Sequence, residues 1–161
     1  MTVDINERRM HFVDIENLVG MGIPDREGAI AARKAYEVAA GGTFGELLTV
    51  GCNHMAAAEV GFALGLSGAQ LKRGSGPDGA DLALLAVIRH ELLNCRVRRL
   101  IIGSGDGIFA RELADLRHLI DELVVVARVG GINAELYRFA DQVHLIEPTG
   151  ADYVVHLEVA A

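Results

Sequence analysis

Three aspartates stand where carboxylates are costly unless they do something. Asp14 closes an apolar run in Phe12-Val13-Asp14-Ile15-Glu16-Asn17, and Asp106 follows another in Gly103-Ser104-Gly105-Asp106-Gly107. Asp81, with Asp78 one turn before it, opens a long apolar stretch. A carboxylate on a hydrophobic strand end is destabilising unless paired or metal-bound. Clustered carboxylate oxygens are the ligands that hard divalent cations take. Each position also has a plainer reading. Asp14 and Asp106 suit ordinary turns, and acids in a first helical turn complement the helix dipole.

Other chemistries find little footing. Cys52 and Cys95 are the only cysteines, too few for a disulfide framework or a zinc site, and they read as small buried hydrophobes in a reducing compartment. The histidines lack metal-ligand spacing. The Gly103–Gly107 loop has neither the Rossmann glycine pattern nor the Lys-Ser/Thr of a P-loop, and no Gly-x-Ser-x-Gly elbow occurs. A phospho-acceptor domain also carries acids at strand ends, but no convincing lysine follows the fourth or fifth strand.

The elements that must position the acids alternate between strand and helix, the pattern of βαβ units around a parallel sheet. Strands are expected at 10–15, 46–52, 69–73, 99–103, 122–128 and 142–146. Helices are expected at 24–40, 55–64, 78–93, 108–119 and 133–139. Pro24 opens the first helix and Gly41-Gly42 stops it. Asn53 is a cap for the second. The 78–93 helix is apolar on nearly every side until Arg89, so it is either central or covered by a partner. The tail at 153–159 alternates Val155, Leu157 and Val159 with His156 and Glu158, as in a half-exposed edge strand. From these two features we expect a homodimer. In an open α/β sheet ligands bind beyond the carboxyl ends of the strands. That rule gathers Asp14, Asp81 and Asp106 at one sheet edge.

The 161 residues correspond to one domain, with a core over about 10–146 and an edge strand at about 152–159. An apolar fraction of 51% argues against disorder. No apolar run reaches the ~20 residues needed to span a bilayer, and the polar N-terminus is unlike a signal peptide. A cytoplasmic location without membrane contact is the expectation. The net charge of −7 argues against a simple basic nucleic-acid binder but leaves open an enzyme that acts on nucleic acid.

The acidic motifs, in this order, resemble the NYN domains of the PIN-like nuclease superfamily. Val13-Asp14-Ile15-Glu16-Asn17-Leu18 is similar to the family's opening Asp-x-x-Asn strand. Gly79-Ala80-Asp81 resembles its central Gly-x-Asp helix start, and Ser104-Gly105-Asp106-Gly107-Ile108-Phe109 its Ser-Gly-Asp-x-Asp-Phe loop. Phe139-Ala140-Asp141-Gln142-Val143 is similar to the Ala-Asp before the family's last strand. The resemblance runs over about 10–146.

It implies a PIN-like (Rossmann-like) three-layer α/β sandwich, with a mainly parallel sheet and helices on both faces. It also implies metal-dependent RNA cleavage. Asp14, Asp81 and Asp106 would hold Mg²⁺ or Mn²⁺, with Asp78 an additional acid. Asn17 would orient water or a phosphate oxygen, or else cap a helix. Asn53, His54, Lys72, Arg73 and Ser104 are the substrate contacts that fit this scheme. Arg128 and Arg138 were further cations for an RNA path, whereas Arg96, Arg98 and Arg99 belong at the opposite end of the sheet. One departure stands out: Ile108 occupies the family's second loop aspartate. Two functions are therefore expected in competition. One is a metal-dependent endoribonuclease. The other is a degenerate NYN domain that serves as an RNA-binding or protein-interaction module.

Overall fold

The computed structural model of the chain describes residues 8–20, 23–43, 46–65, 68–149 and 152–159. Seven strands form one sheet: β1 (Arg9–Asp14), β2 (Leu47–Asn53), β3 (Gln70–Gly74), β4 (Val97–Gly103), β5 (Ile120–Arg128), β6 (Gln142–Thr149) and β7 (Asp152–Val159). Their order is β3-β2-β1-β4-β5-β6-β7. Neighbours pair parallel except β6 and β7, which run antiparallel, with Ile146 opposite Val155. The β7 edge strand expected from the tail is thus present. The side chains of Leu157, Glu158 and Val159 lie outside the described residues.

Among the described residues six α-helices lie between the strands: α1 (Ile15–Val19), α2 (Arg26–Ala39), α3 (Ala57–Leu64), α4 (Gly79–Asn94), α5 (Ile108–Leu113) and α6 (Ala134–Phe139). Strand alternation sorts the apolar side chains onto two faces. Met10, Phe12, Leu100 and Ile102 pack with Leu84, Ile88, Phe109 and Leu136 of α4, α5 and α6. Val13, Val50, Ile101 and Val124 pack with Leu18, Ala32, Tyr36 and Val60 of α1, α2 and α3. The result is an α/β fold with helices on both faces of the sheet.

The small residues of α2 explain its close seat. Ala29, Ala32, Ala35, Tyr36 and Ala39 are its buried side, and Asp25 caps it by accepting the Gly28 N–H at 2.7 Å. Below α2, the imidazole of His11 is fully buried, bonded to the Tyr36 hydroxyl at 2.8 Å through Nδ1 and to the Glu46 carboxylate through Nε2. That satisfies a polar group inside the sheet without any role at the acidic edge.

Two expectations about elements need correction. The first strand stops at Asp14 rather than running on, because the Asp14 side chain accepts the Asn17 N–H and starts α1. Helix α5 ends at Leu113 and continues as 3₁₀ turns over Ala114–Leu119.

Candidate metal centre

The chain lays down β1, β2 and β3 in one direction, then returns to place β4 on the other side of β1. The crevice between diverging connections therefore opens above the carboxyl ends of β1 and β4. Asp14 ends β1, and the loop carrying Asp106 leaves β4. The N-terminus of α4 lies over the same edge because its approach to β3 is unusually close. A Cβ on Gly74 would stand 1.9 Å from the Gly79 carbonyl oxygen, so only glycine admits this turn. Gly105 is equally constrained, since a Cβ there would meet the Gly131 carbonyl at 1.8 Å.

Asp14 and Asp81 are each 6% exposed and share a carboxyl–carboxyl hydrogen bond. Such a bond requires a proton between the two acids. Burial pushes the Asp81 carboxyl up to about 8, and the charges of Asp14, Asp106 and Asp78 add to the shift. Burial likewise raises Asp14, opposed by its hydrogen bonds to Asp81 and to the Asn17 N–H. Asp81 Oδ1 is buried and has no hydrogen-bond partner. An orphaned carboxylate oxygen among other acids is costly unless a proton or a cation answers it.

Asp78, Asp81 and Asp106 each place a carboxylate oxygen such that all three lie within 4.8 Å of one another. These three acids could hold a metal ion, and an all-oxygen donor set fits Mg²⁺ or Mn²⁺ rather than a soft metal. The tight trio is thus not the expected Asp14, Asp81 and Asp106. Asp78 takes the third place, and Asp14 stands behind Asp81 as its hydrogen-bond partner.

Asn17 connects the two halves of the centre. Its side-chain oxygen accepts the Gly105 N–H at 2.7 Å, holding the Asp106 loop against α1. It is not the N-cap of α1; Asp14 is. Asp106 accepts the Ile108 N–H at 2.9 Å, and its own N–H donates to the Ser104 hydroxyl at 3.2 Å. Ser104 is fully buried. This corrects its expected place among the substrate contacts: it shapes the loop from inside. Ile108 packs against the apolar cluster beneath α5 and offers no oxygen.

A cleft of about 140 Å³ opens beside the trio, lined by Asp14, Glu16, Asn53, Asp78, Asp81 and the turn 76–80. Glu16 escaped the reading of the sequence. It accepts the Asn53 N–H at 2.5 Å and adds an acid to the wall of this cleft. The signal was present: Asp14 and Glu16 straddle the point where a strand becomes a helix. Asn53 caps the 3₁₀ turn His54–Ala56 by accepting the Met55 N–H at 3.0 Å. His54 reaches the rim, with Nδ1 3.4 Å from the Ser75 hydroxyl.

Lys72 and Arg73 were both expected as phosphate contacts, and the pleat sends them to opposite faces of the sheet. Lys72 is in register with Gly51 and Asp14, on the α4 face, whereas Arg73 aligns with Cys52 on the α3 face. Only Lys72 shares the side of the acids. Arg128 donates to the Val19 carbonyl at 3.4 Å and so supports the end of α1. Arg96 and Arg99 pair with Asp121 and Glu122 at the far end of the sheet, where the sequence placed them.

Among the described residues no helix is long and apolar enough to cross a membrane. Comparison with protein-family models and with curated proteins gives no match. Among solved structures, the chain is similar to a protein of unknown function from Vibrio parahaemolyticus, at 16% identity and a TM-score of 0.59. The likeness covers 96% of this chain and 100% of the other, and it is a likeness of fold alone.

Proposed function

We propose that the protein hydrolyses RNA phosphodiester bonds with Mg²⁺ or Mn²⁺ held by Asp78, Asp81 and Asp106, in a PIN-like fold. The observation that carries this reading is Asp81, a buried acid with one unpartnered oxygen, whose carboxylate lies within 4.8 Å of carboxylate oxygens of Asp78 and Asp106. The resemblance of the three acidic motifs to NYN domains supports the choice of substrate. A bound divalent cation would supply Lewis-acid activation of a phosphoryl oxygen and a more acidic water.

The chain's own groups have separable tasks. Asp81 keeps a proton with Asp14 while no cation is present and gives it up on loading. Asp14, released from that hydrogen bond, is placed to receive a proton from the attacking water. Asn17 positions the Asp106 loop through Gly105. Lys72, on the acids' side of the sheet, and His54, beside Ser75, serve as phosphate contacts.

Incubation of single-stranded RNA with Mn²⁺ tests this reading. The wild type should cut, and Asp81→Asn should lose about 100-fold or more of the rate. Equal cleavage by the wild type and Asp14→Asn would sink the mechanism. Ile108 favours a second reading, a module that binds without cutting. Tight Mn²⁺ and RNA binding with no cleavage by the wild type would select it.

A further inference from the structure

Next to the acidic centre, on the same face of the sheet, a wide and shallow groove of about 350 Å³ lies between α5 and α6. It is lined by Ala110, Arg111, Glu135, Arg138 and Phe139. Its position is tied to the centre through the first turns of both helices. Arg111 donates its backbone N–H to Gly107 at 3.2 Å, so it lies one turn beyond the residue after Asp106. Asn133, which caps α6, donates its backbone N–H to the Gly105 carbonyl at 2.8 Å. Arg111 therefore lies on the first turn of α5, close behind the loop that carries Asp106.

The groove's chemistry is unlike that of the cleft above it. Two guanidinium groups face one carboxylate there. Arg111 meets Glu135 at 3.4 Å, with both side chains more than half exposed at 57% and 54%. An exposed pair at that distance is weak and gives way readily to a phosphate. Arg138 makes no ion pair with a carboxylate among the described residues. Phe139 packs partly against the core, has the Arg117 guanidinium carbon over its ring at 5.8 Å from the centroid, and turns its remaining exposed part to the groove. Arg117 is itself tied to Asp141 at 2.5 Å. Cationic groups around an aromatic ring form a platform for single strands, with phosphates on arginine and bases on the ring.

We infer that the α5–α6 groove takes the strand leading away from the acidic centre, stacking a nucleobase on Phe139 and pairing phosphates with Arg111 and Arg138. This rests on the reading of the centre as a site for RNA. It adds the path of the strand: the RNA leaves over α5 and α6, on the side away from His54 and Lys72.

The test is fluorescence anisotropy with a short labelled oligouridylate, on the Asp14→Asn protein in Ca²⁺ so that the strand stays intact. Arg138→Ala should raise the Kd about tenfold and Phe139→Leu about fivefold. Arg96→Ala, the same loss of charge at the far end of the sheet, should leave it within about twofold. The Phe139→Leu penalty should vanish with an abasic oligomer, which a mere loss of structure would not produce.

Unchanged affinity in Arg138→Ala and Phe139→Leu would overturn the groove while leaving metal-dependent cleavage standing. An equal loss in Arg96→Ala would also overturn it, because the effect would then be one of net charge. Failure of the parent to bind the oligomer at micromolar protein would overturn both the groove and the RNA reading of the centre.

Discussion

Asp81 concentrates the energetic tension of the molecule in one side chain. Its carboxyl group titrates near 8 when folded, against an ordinary aspartate value near 3.8 when unfolded. Between those values the folded state holds a proton that the unfolded state has released, so stability falls as pH rises. The contribution is fully present below pH ~4 and lost as pH climbs through ~8. In metal-free buffer, denaturant midpoints should therefore decline from pH 5 to pH 8. Asp81→Asn should flatten that decline and be on the order of 1–3 kcal/mol more stable at pH 8. A wild type that becomes more stable over this range would contradict the assignment. Saturating Mn²⁺ should reverse the trend, since the cation replaces the proton. A second residue-scale prediction concerns Asn17. Its loss leaves the Gly105 N–H without its acceptor, so Asn17→Ala should cost about 1–2 kcal/mol in chemical denaturation and weaken Mn²⁺ binding. The acids themselves were legible because strand ends and helix starts can be read from apolar runs. The inward turn of Ser104 was not, since it depends on contacts made across the fold.

Elements decide which acids meet. Helix α4 reaches the sheet edge because Gly74 and Gly79 let its first turn press against the end of β3. Gly74→Ala should therefore destabilise the fold by about 3 kcal/mol or more. It should also reduce Mn²⁺ affinity by moving Asp78 and Asp81 away from Asp106, as titration calorimetry would show. Retained affinity in a folded Gly74→Ala protein would mean that the turn does not set the site. The boundaries of α4 were readable from its long apolar stretch, whereas α1, five residues long, is too short to show a helical period. The break of α5 into 3₁₀ turns was equally invisible. Lys72 and Arg73 were readable as strand-end cations, but not the side that each takes. Adjacent residues on a strand face opposite ways, and register with β2 then fixes which one shares the face of Asp14.

At the scale of the whole molecule, the alternation of strands and helices announced a parallel sheet, but strand order is set by packing between distant segments. The reversal between β3 and β4 is what brings Asp14 and Asp106 to one crevice. The apolar residues of α4 that lie outside the core also have a consequence here. One flank is buried through Leu84, Leu85 and Ile88, yet Leu82 and Leu93 remain 57% and 69% exposed. We expect self-association through this flank, with Leu93→Glu shifting the mass in light scattering from dimer to monomer. A monomeric wild type at micromolar concentration would rule that out.

The central claim is that Asp78, Asp81 and Asp106 form one cation site. Anomalous diffraction from crystals soaked in Mn²⁺ tests it most directly. The account predicts a peak about 2.0–2.3 Å from a carboxylate oxygen of each of these three residues. No peak at the trio in millimolar Mn²⁺, or one elsewhere on the surface alone, would contradict it.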